Sequence, residues 1–94
     1  CIAPEVLKEK LKSEKKIIII DVRSVDEYTE KHIPAAVNIP LPLLEKEIMH
    51  FSKENFYITA CGKGGGRSAE AAELIVMSGY VSTWLCNGTF GWFE

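Results

Sequence analysis

Four consecutive isoleucines, Ile17 to Ile20, followed by Asp21-Val22, constrain this chain more than any other feature. β-Branched side chains lose rotamer freedom in a helix but suit the pleated surface of a strand. The run does not alternate apolar with polar residues, so both faces of the strand are buried. That is the habit of parallel sheets, whose strands are joined by helices lying on the sheet faces. No apolar run exceeds four residues, far below the roughly 18 to 20 that a membrane helix needs, and no signal peptide is visible.

The surrounding sequence supplies the crossovers. Pro4 to Lys12 reads as a helix with Pro near its start and Val6, Leu7 and Leu11 on one face. The lysines and glutamates between Lys8 and Lys16 form its solvated side. Ser24 to Lys31 is polar, one or two helical turns, broken by His32-Ile33-Pro34. Ala36 to Ile39 is a second short strand closed by Pro40, and Leu41, Leu44, Ile48 and Phe51 repeat at helical spacing. Phe56 to Ala60 is a third strand. A helix over Arg67 to Ser78 turns Ala71, Ala72, Ile75 and Val76 inward and ends at Gly79. Thr83 to Cys86 is a last strand, before the turn Asn87-Gly88 and a Phe90, Trp92, Phe93 cluster. Strands alternating with helices predict an α/β fold, a mostly parallel sheet with helices on both faces. With no repeat and no linker, residues 1–94 are expected to form one domain.

Charge and cysteine count narrow the chemistry. A net charge of −2 gives no long-range attraction to nucleic acid or to an anionic membrane, so neither is expected as a partner and any anion must be held by a local site. The three cysteines, Cys1, Cys61 and Cys86, are an odd number without zinc-site or disulfide-scaffold spacing. The expectation is free thiols, no metal and a reducing, cytoplasmic setting. An opening Cys1 is expected from trimming of a longer chain more than from lipoprotein processing.

The segment Cys61-Gly62-Lys63-Gly64-Gly65-Gly66-Arg67-Ser68 lies between the third strand and the following helix. Ligand sites of open α/β sheets form there, at the carboxyl ends of strands. Four glycines allow positive φ angles, so successive N–H groups can converge on an anion. The helix adds the positive end of its dipole, and Lys63 and Arg67 add full charges. Such surroundings favour the thiolate of Cys61 and make it a nucleophile near neutral pH, with Ser68 placed to donate a hydrogen bond to the sulfur. The loop has neither the dinucleotide-binding nor the P-loop spacing. An inert core cysteine is the plainer alternative.

Several motifs in order resemble the rhodanese family: Asp21-Val22-Arg23, Asp26-Glu27-Tyr28, His32-Ile33-Pro34-Ala35-Ala36-Val37-Asn38-Ile39-Pro40, the cysteine loop, and Asn87-Gly88-Thr89-Phe90-Gly91-Trp92. The resemblance spans nearly the whole chain. It implies a rhodanese-like three-layer sandwich around a five-stranded parallel sheet, one strand more than the pattern above yields. It also implies a sulfurtransferase without cofactor, in which Cys61 carries a persulfide between a small anionic donor (thiosulfate or a persulfide) and a thiol or protein acceptor. By position, the amides from Gly62 to Arg67 would cradle the persulfide, and Arg67 or Lys63 would bind the donor's anionic group. Asp21 and Arg23 would support the site, and His32 would belong to the fold.

One departure stands out. Cys61 to Arg67 spans seven residues, where most sulfurtransferases of the family have six. A Cys-x5-Arg loop resembles the phosphatase and arsenate-reductase relatives, which hold tetrahedral oxyanions. Ala60 before the cysteine, the absence of an acidic loop residue and the lack of a general acid beyond Asp21, Asp26 and Glu27 point back to sulfur, because phosphate-ester cleavage must protonate its leaving group. A non-catalytic interaction or redox-sensing module is a third possibility, disfavoured by retention of the cysteine. Cys86 is expected in the core, His50 on the surface, and the terminal aromatics closing the core.

Overall fold

A computed structural model describes residues 1–13 and 16–94. Of the charged run expected to face solvent, Glu14 and Lys15 lie outside the described residues. The elements follow as α1 (Pro4–Ser13), β1 (Ile17–Asp21), α2 (Val25–Glu30), β2 (Val37–Asn38), α3 (Leu41–Glu47) with a 3-10 turn over Ile48–His50, β3 (Phe56–Ala60), α4 (Gly66–Met77), β4 (Val81–Trp84) and α5 (Gly88–Trp92). All strand pairs are parallel, in the order β2-β1-β3-β4.

The isoleucine run behaves as its composition requires. Ile19 packs with Leu7, Ile33, Ile58 and Leu85 on the face covered by α1, α2 and α5. Ile20 packs with Leu44, Ile48, Ala71 and Ile75 on the face covered by α3 and α4. Alternate side chains thus enter two separate cores, one on each side of the sheet, and the three-layer α/β architecture follows from that. The fifth strand implied by the resemblance is reduced to a single parallel bridge, Ile2 to Leu85. Its bonds run from Ile2 N–H to the Trp84 carbonyl at 2.9 Å and from Cys86 N–H to the Ile2 carbonyl at 2.8 Å.

Two local expectations are corrected. β4 lies two residues earlier than Thr83–Cys86, because Phe56 to Thr59 of β3 pair with Val81 to Trp84; register with the neighbour overrides local pattern. The aromatic tail is a short helix, with Asn87 in the left-handed region (φ 64°) at its start. The larger correction concerns the cysteines. Cys1 and Cys86 are joined by a disulfide with Cα atoms 5.3 Å apart, so they are not free thiols and Cys86 is not simply a core residue. The parallel bridge at Ile2 is what brings them together, and spacing in sequence carries no trace of it. Cys61 remains the free cysteine.

Candidate functional site

β1 and β3 are in register with Asp21 beside Ala60, so both chains leave the sheet at the same edge. There the two expected clusters meet. Asp21 and Arg23 are almost wholly buried, at 1% and 2% exposure. Asp21 Oδ2 accepts from Arg23 Nη2 at 2.7 Å and Oδ1 from Nε at 3.0 Å, while Nη2 also donates to the Lys31 carbonyl at 2.6 Å. The hydrogen bond to Asp21 holds the Arg23 guanidinium pKa above its ordinary value. Asn38 Nδ2 donates to the carbonyls of Asp21 and Arg23, 3.0 Å each. These groups tie the ends of β1 and β2 to the chain on either side of α2, and the hydrogen bonds they make serve the architecture. His32 is likewise absorbed: its ring stacks on Tyr28 with centroids 3.7 Å apart, and its Nδ1 lies 2.7 Å from the Tyr28 carbonyl. His50 is exposed, as expected.

Cys61 begins the loop directly after β3 and is 5% exposed. Its Sγ lies 3.3 Å from the Gly65 carbonyl and 3.3 Å from Ser68 Oγ, two acceptors within reach of its one S–H. This differs from the expected contact. Ser68 Oγ donates to the Gly65 carbonyl at 2.9 Å and accepts from the thiol. The same carbonyl accepts from the backbone N–H groups of Ser68 and Ala69, at 2.9 and 3.3 Å, as α4 starts. The loop is therefore not a ring of amides alone: with the thiol protonated, one carbonyl faces the sulfur. Thr59 Oγ1 donates to the Ser68 carbonyl at 2.7 Å and fixes the helix start against β3.

Positive φ angles occur at Gly64, Gly65 and Gly66 (88°, 63° and 42°), which a side chain would oppose. Behind the loop stands the start of α5. Thr89 N–H donates to the Cys61 carbonyl at 2.7 Å and Phe90 N–H to the Gly62 carbonyl at 3.0 Å. A Cβ at Gly88 would collide with the Cys61 carbonyl oxygen and stand 2.6 Å from that of Gly62. The tail motif thus backs the cysteine loop through its backbone, and Phe90 stands exposed beside Gly62 instead of closing the core. Phe90, 51% exposed, divides two hollows: one of about 300 Å³ lined by Arg23, Glu27, Glu30, Lys31 and Phe90, the other of about 390 Å³ lined by Lys63, Asn87, Phe90, Gly91 and Glu94.

Lys63 is exposed and, among the described residues, has no ion-pair partner. Arg67 has one. Its Nη1 donates to Glu27 Oε1 at 2.9 Å and its Nη2 to Oε2 at 3.3 Å. The Arg67 fork, then the Ser24 backbone N–H, lowers the Glu27 carboxyl pKa to about 2. Glu27 also closes a capping box with Ser24 at the start of α2. Sequence reading treated Glu27 only as part of a motif and as a remote acid. Nothing local could reveal a partner 40 positions away.

The model of the rhodanese-like domain matches residues 3–94. The chain belongs to the rhodanese-like family. A rhodanese-related protein of Thermoplasma volcanium is 27% identical with a TM-score of 0.87, over 99% of this chain and 89% of that one. A rhodanese-like domain protein of Staphylococcus aureus is 32% identical with a TM-score of 0.87, over 97% and 88%. Among curated proteins, the provisionally named sulfur carrier protein YrkF of Bacillus subtilis is 34% identical over 79 residues, 84% of this chain. The thiosulfate:glutathione sulfurtransferase of Saccharomyces cerevisiae is 33% identical over 93 residues, 83% of this chain. The chain spans 42% of the first of these and 65% of the second. Among the described residues, this rhodanese-like chain has no helix long and apolar enough to cross a membrane and no cluster of side chains that could hold a metal.

Proposed function

We propose that residues 1–94 act as one sulfurtransferase domain in which Cys61 carries sulfur as a persulfide. The observation that carries this reading is the free Cys61 thiol at the carboxyl end of β3, packed against Ser68 at the head of α4 inside a glycine loop. The sulfurtransferase and sulfur-carrier names of its relatives support it. The Cys61 thiolate attacks the outer sulfur of thiosulfate; a new S–S bond forms, the sulfur–sulfur bond of the donor breaks, and sulfite departs with the electron pair. An acceptor thiol or cyanide then attacks that outer sulfur and regenerates the thiolate. On losing its proton Cys61 no longer donates to the Gly65 carbonyl, and the Ser68 hydroxyl can turn to donate to the sulfur. The remaining loop amides and Arg67 or Lys63 would meet the anionic part of the donor.

The seven-residue loop favours an oxyanion enzyme by length, but two of the three acids named for it, Asp21 and Glu27, do not fit that chemistry. Asp21 is buried and committed to Arg23, and Glu27, held near pKa 2 by Arg67, carries no proton to give a leaving alkoxide at neutral pH. Sulfite needs no such help. The cytoplasmic placement expected from three free thiols loses its premise with Cys1 and Cys86 joined, since disulfides persist in oxidising surroundings.

The test is intact mass of the disulfide-containing protein after brief exposure to thiosulfate, beside Cys61→Ser. One added sulfur on the parent alone, removed by cyanide, is the expected result. A parent that gains no sulfur, or a serine variant that gains as much, refutes the carrier role.

A further inference from the structure

The Arg67–Glu27 pair is the part of the site that neither the fold nor sulfur transfer demands. Arg67 closes the cysteine loop, and after Glu27 the charge on Cys61 also helps hold it protonated. Yet both guanidinium nitrogens that face Glu27 are engaged, at 2.9 and 3.3 Å, by a carboxylate of the same chain. Glu27 is itself anchored: its Oε1 accepts from the backbone N–H of Ser24 at 3.1 Å and from the Ser24 hydroxyl at 3.0 Å. Its negative charge also lines the hollow beside Phe90, together with Arg23, Glu30 and Lys31. An anion arriving on that side meets an occupied arginine and a carboxylate.

We propose that Glu27 is a specificity-determining residue of the Cys61 site, occupying the Arg67 guanidinium and so biasing the site against strongly anionic donors in favour of donors with little charge beside the transferred sulfur. The proposal rests on the persulfide-carrier reading. A thiosulfate dianion must either draw the Arg67 guanidinium away from Glu27 or bind beside a carboxylate that Ser24 holds in place. An organic persulfide carries one negative charge at most at the sulfur to be transferred and meets less of either cost. The two side chains are 45% and 41% exposed, so water screens the pair and the bias is a matter of about two- to fivefold, not of orders of magnitude.

Glu27→Gln isolates the charge, because glutamine at this position still completes a capping box with Ser24. The disulfide-intact protein presents Cys61 as its free thiol, so alkylation of Cys61 by iodoacetate and by iodoacetamide compares an anionic with a neutral reagent in the same displacement of iodide. The iodoacetate-to-iodoacetamide rate ratio is expected to rise about two- to fivefold in Glu27→Gln. The thiosulfate concentration giving half-maximal persulfide formation is expected to fall by a similar factor, with the maximal rate little changed. A ratio that stays level or falls overturns the proposal, whatever the sulfur assay shows. A parent protein that alkylates normally but takes no sulfur from thiosulfate refutes the carrier reading instead, and the alkylation ratio still decides whether Glu27 screens the site by charge.

Discussion

Cutting the Cys1–Cys86 bond opens a loop that encloses almost the whole chain, since the two residues are 85 positions apart. In the chain-entropy account, a cross-link of that span lowers the entropy of the unfolded chain enough to stabilise the fold by about 4.5 kcal/mol. That is a large share of the roughly 5 to 15 kcal/mol that separates a folded domain from its unfolded chain. For 94 residues, at about 2.1 cal/mol/K of unfolding entropy per residue, the loss corresponds to a fall in Tm of about 20 °C. The native contacts at risk are few: the single Ile2–Leu85 bridge and its two backbone bonds. Thermal unfolding followed by far-ultraviolet circular dichroism, on the parent with and without reductant and on the Cys1→Ser/Cys86→Ser double variant, measures it. The reduced parent and the double variant should melt together, well below the oxidised parent. A difference under about 5 °C, equivalent to roughly 1 kcal/mol, would show that the segment at Ile2 is held by the bridge and by packing and that the entropic argument fails here.

Two further outcomes are expected. Gly88→Ala places a Cβ against the Cys61 and Gly62 carbonyl oxygens at a residue with φ of 60°; a loss of about 2 kcal/mol or more in urea unfolding, with reduced sulfur uptake by Cys61, is predicted, and parental values for both would show that α5 does not brace the loop. Glu27 has its pKa depressed from 4.5 to about 2 by Arg67 and Ser24, so its contribution to stability is fully present above pH 4.5 and is lost as pH falls toward 2. In acid titrations of stability, Glu27→Gln should therefore lose less than the parent between those limits, and parallel acid limbs would contradict the assignment.

The thiosulfate prediction and the acid-titration prediction both depend on the half-exposed Glu27–Arg67 pair and should weaken as salt is raised. The stability of the clamp at Asp21 and Arg23 depends on two nearly dry charges, and salt screens those far less.

What the sequence determined by itself is whatever depends on neighbours along the chain. An unbroken isoleucine run can only be comfortable as a strand buried on both sides, and the sheet with helices on both faces follows from it. Glycines after Cys61 permit the positive φ angles of a strand-to-helix loop, and three of them adopt such angles. The cysteine, the loop and the family motifs were legible for the same reason. What the tertiary structure decided are the pairings between distant segments. Register against β3 placed β4 two residues early. The bridge at Ile2 set Cys1 beside Cys86. The docking of α2 beside the loop put Glu27 on Arg67, and the turn into α4 aimed the Gly65 carbonyl at the sulfur of Cys61. Local pattern reports which conformations a segment can adopt; which side chain meets which across the fold is settled only when sheet order and helix packing bring them within reach.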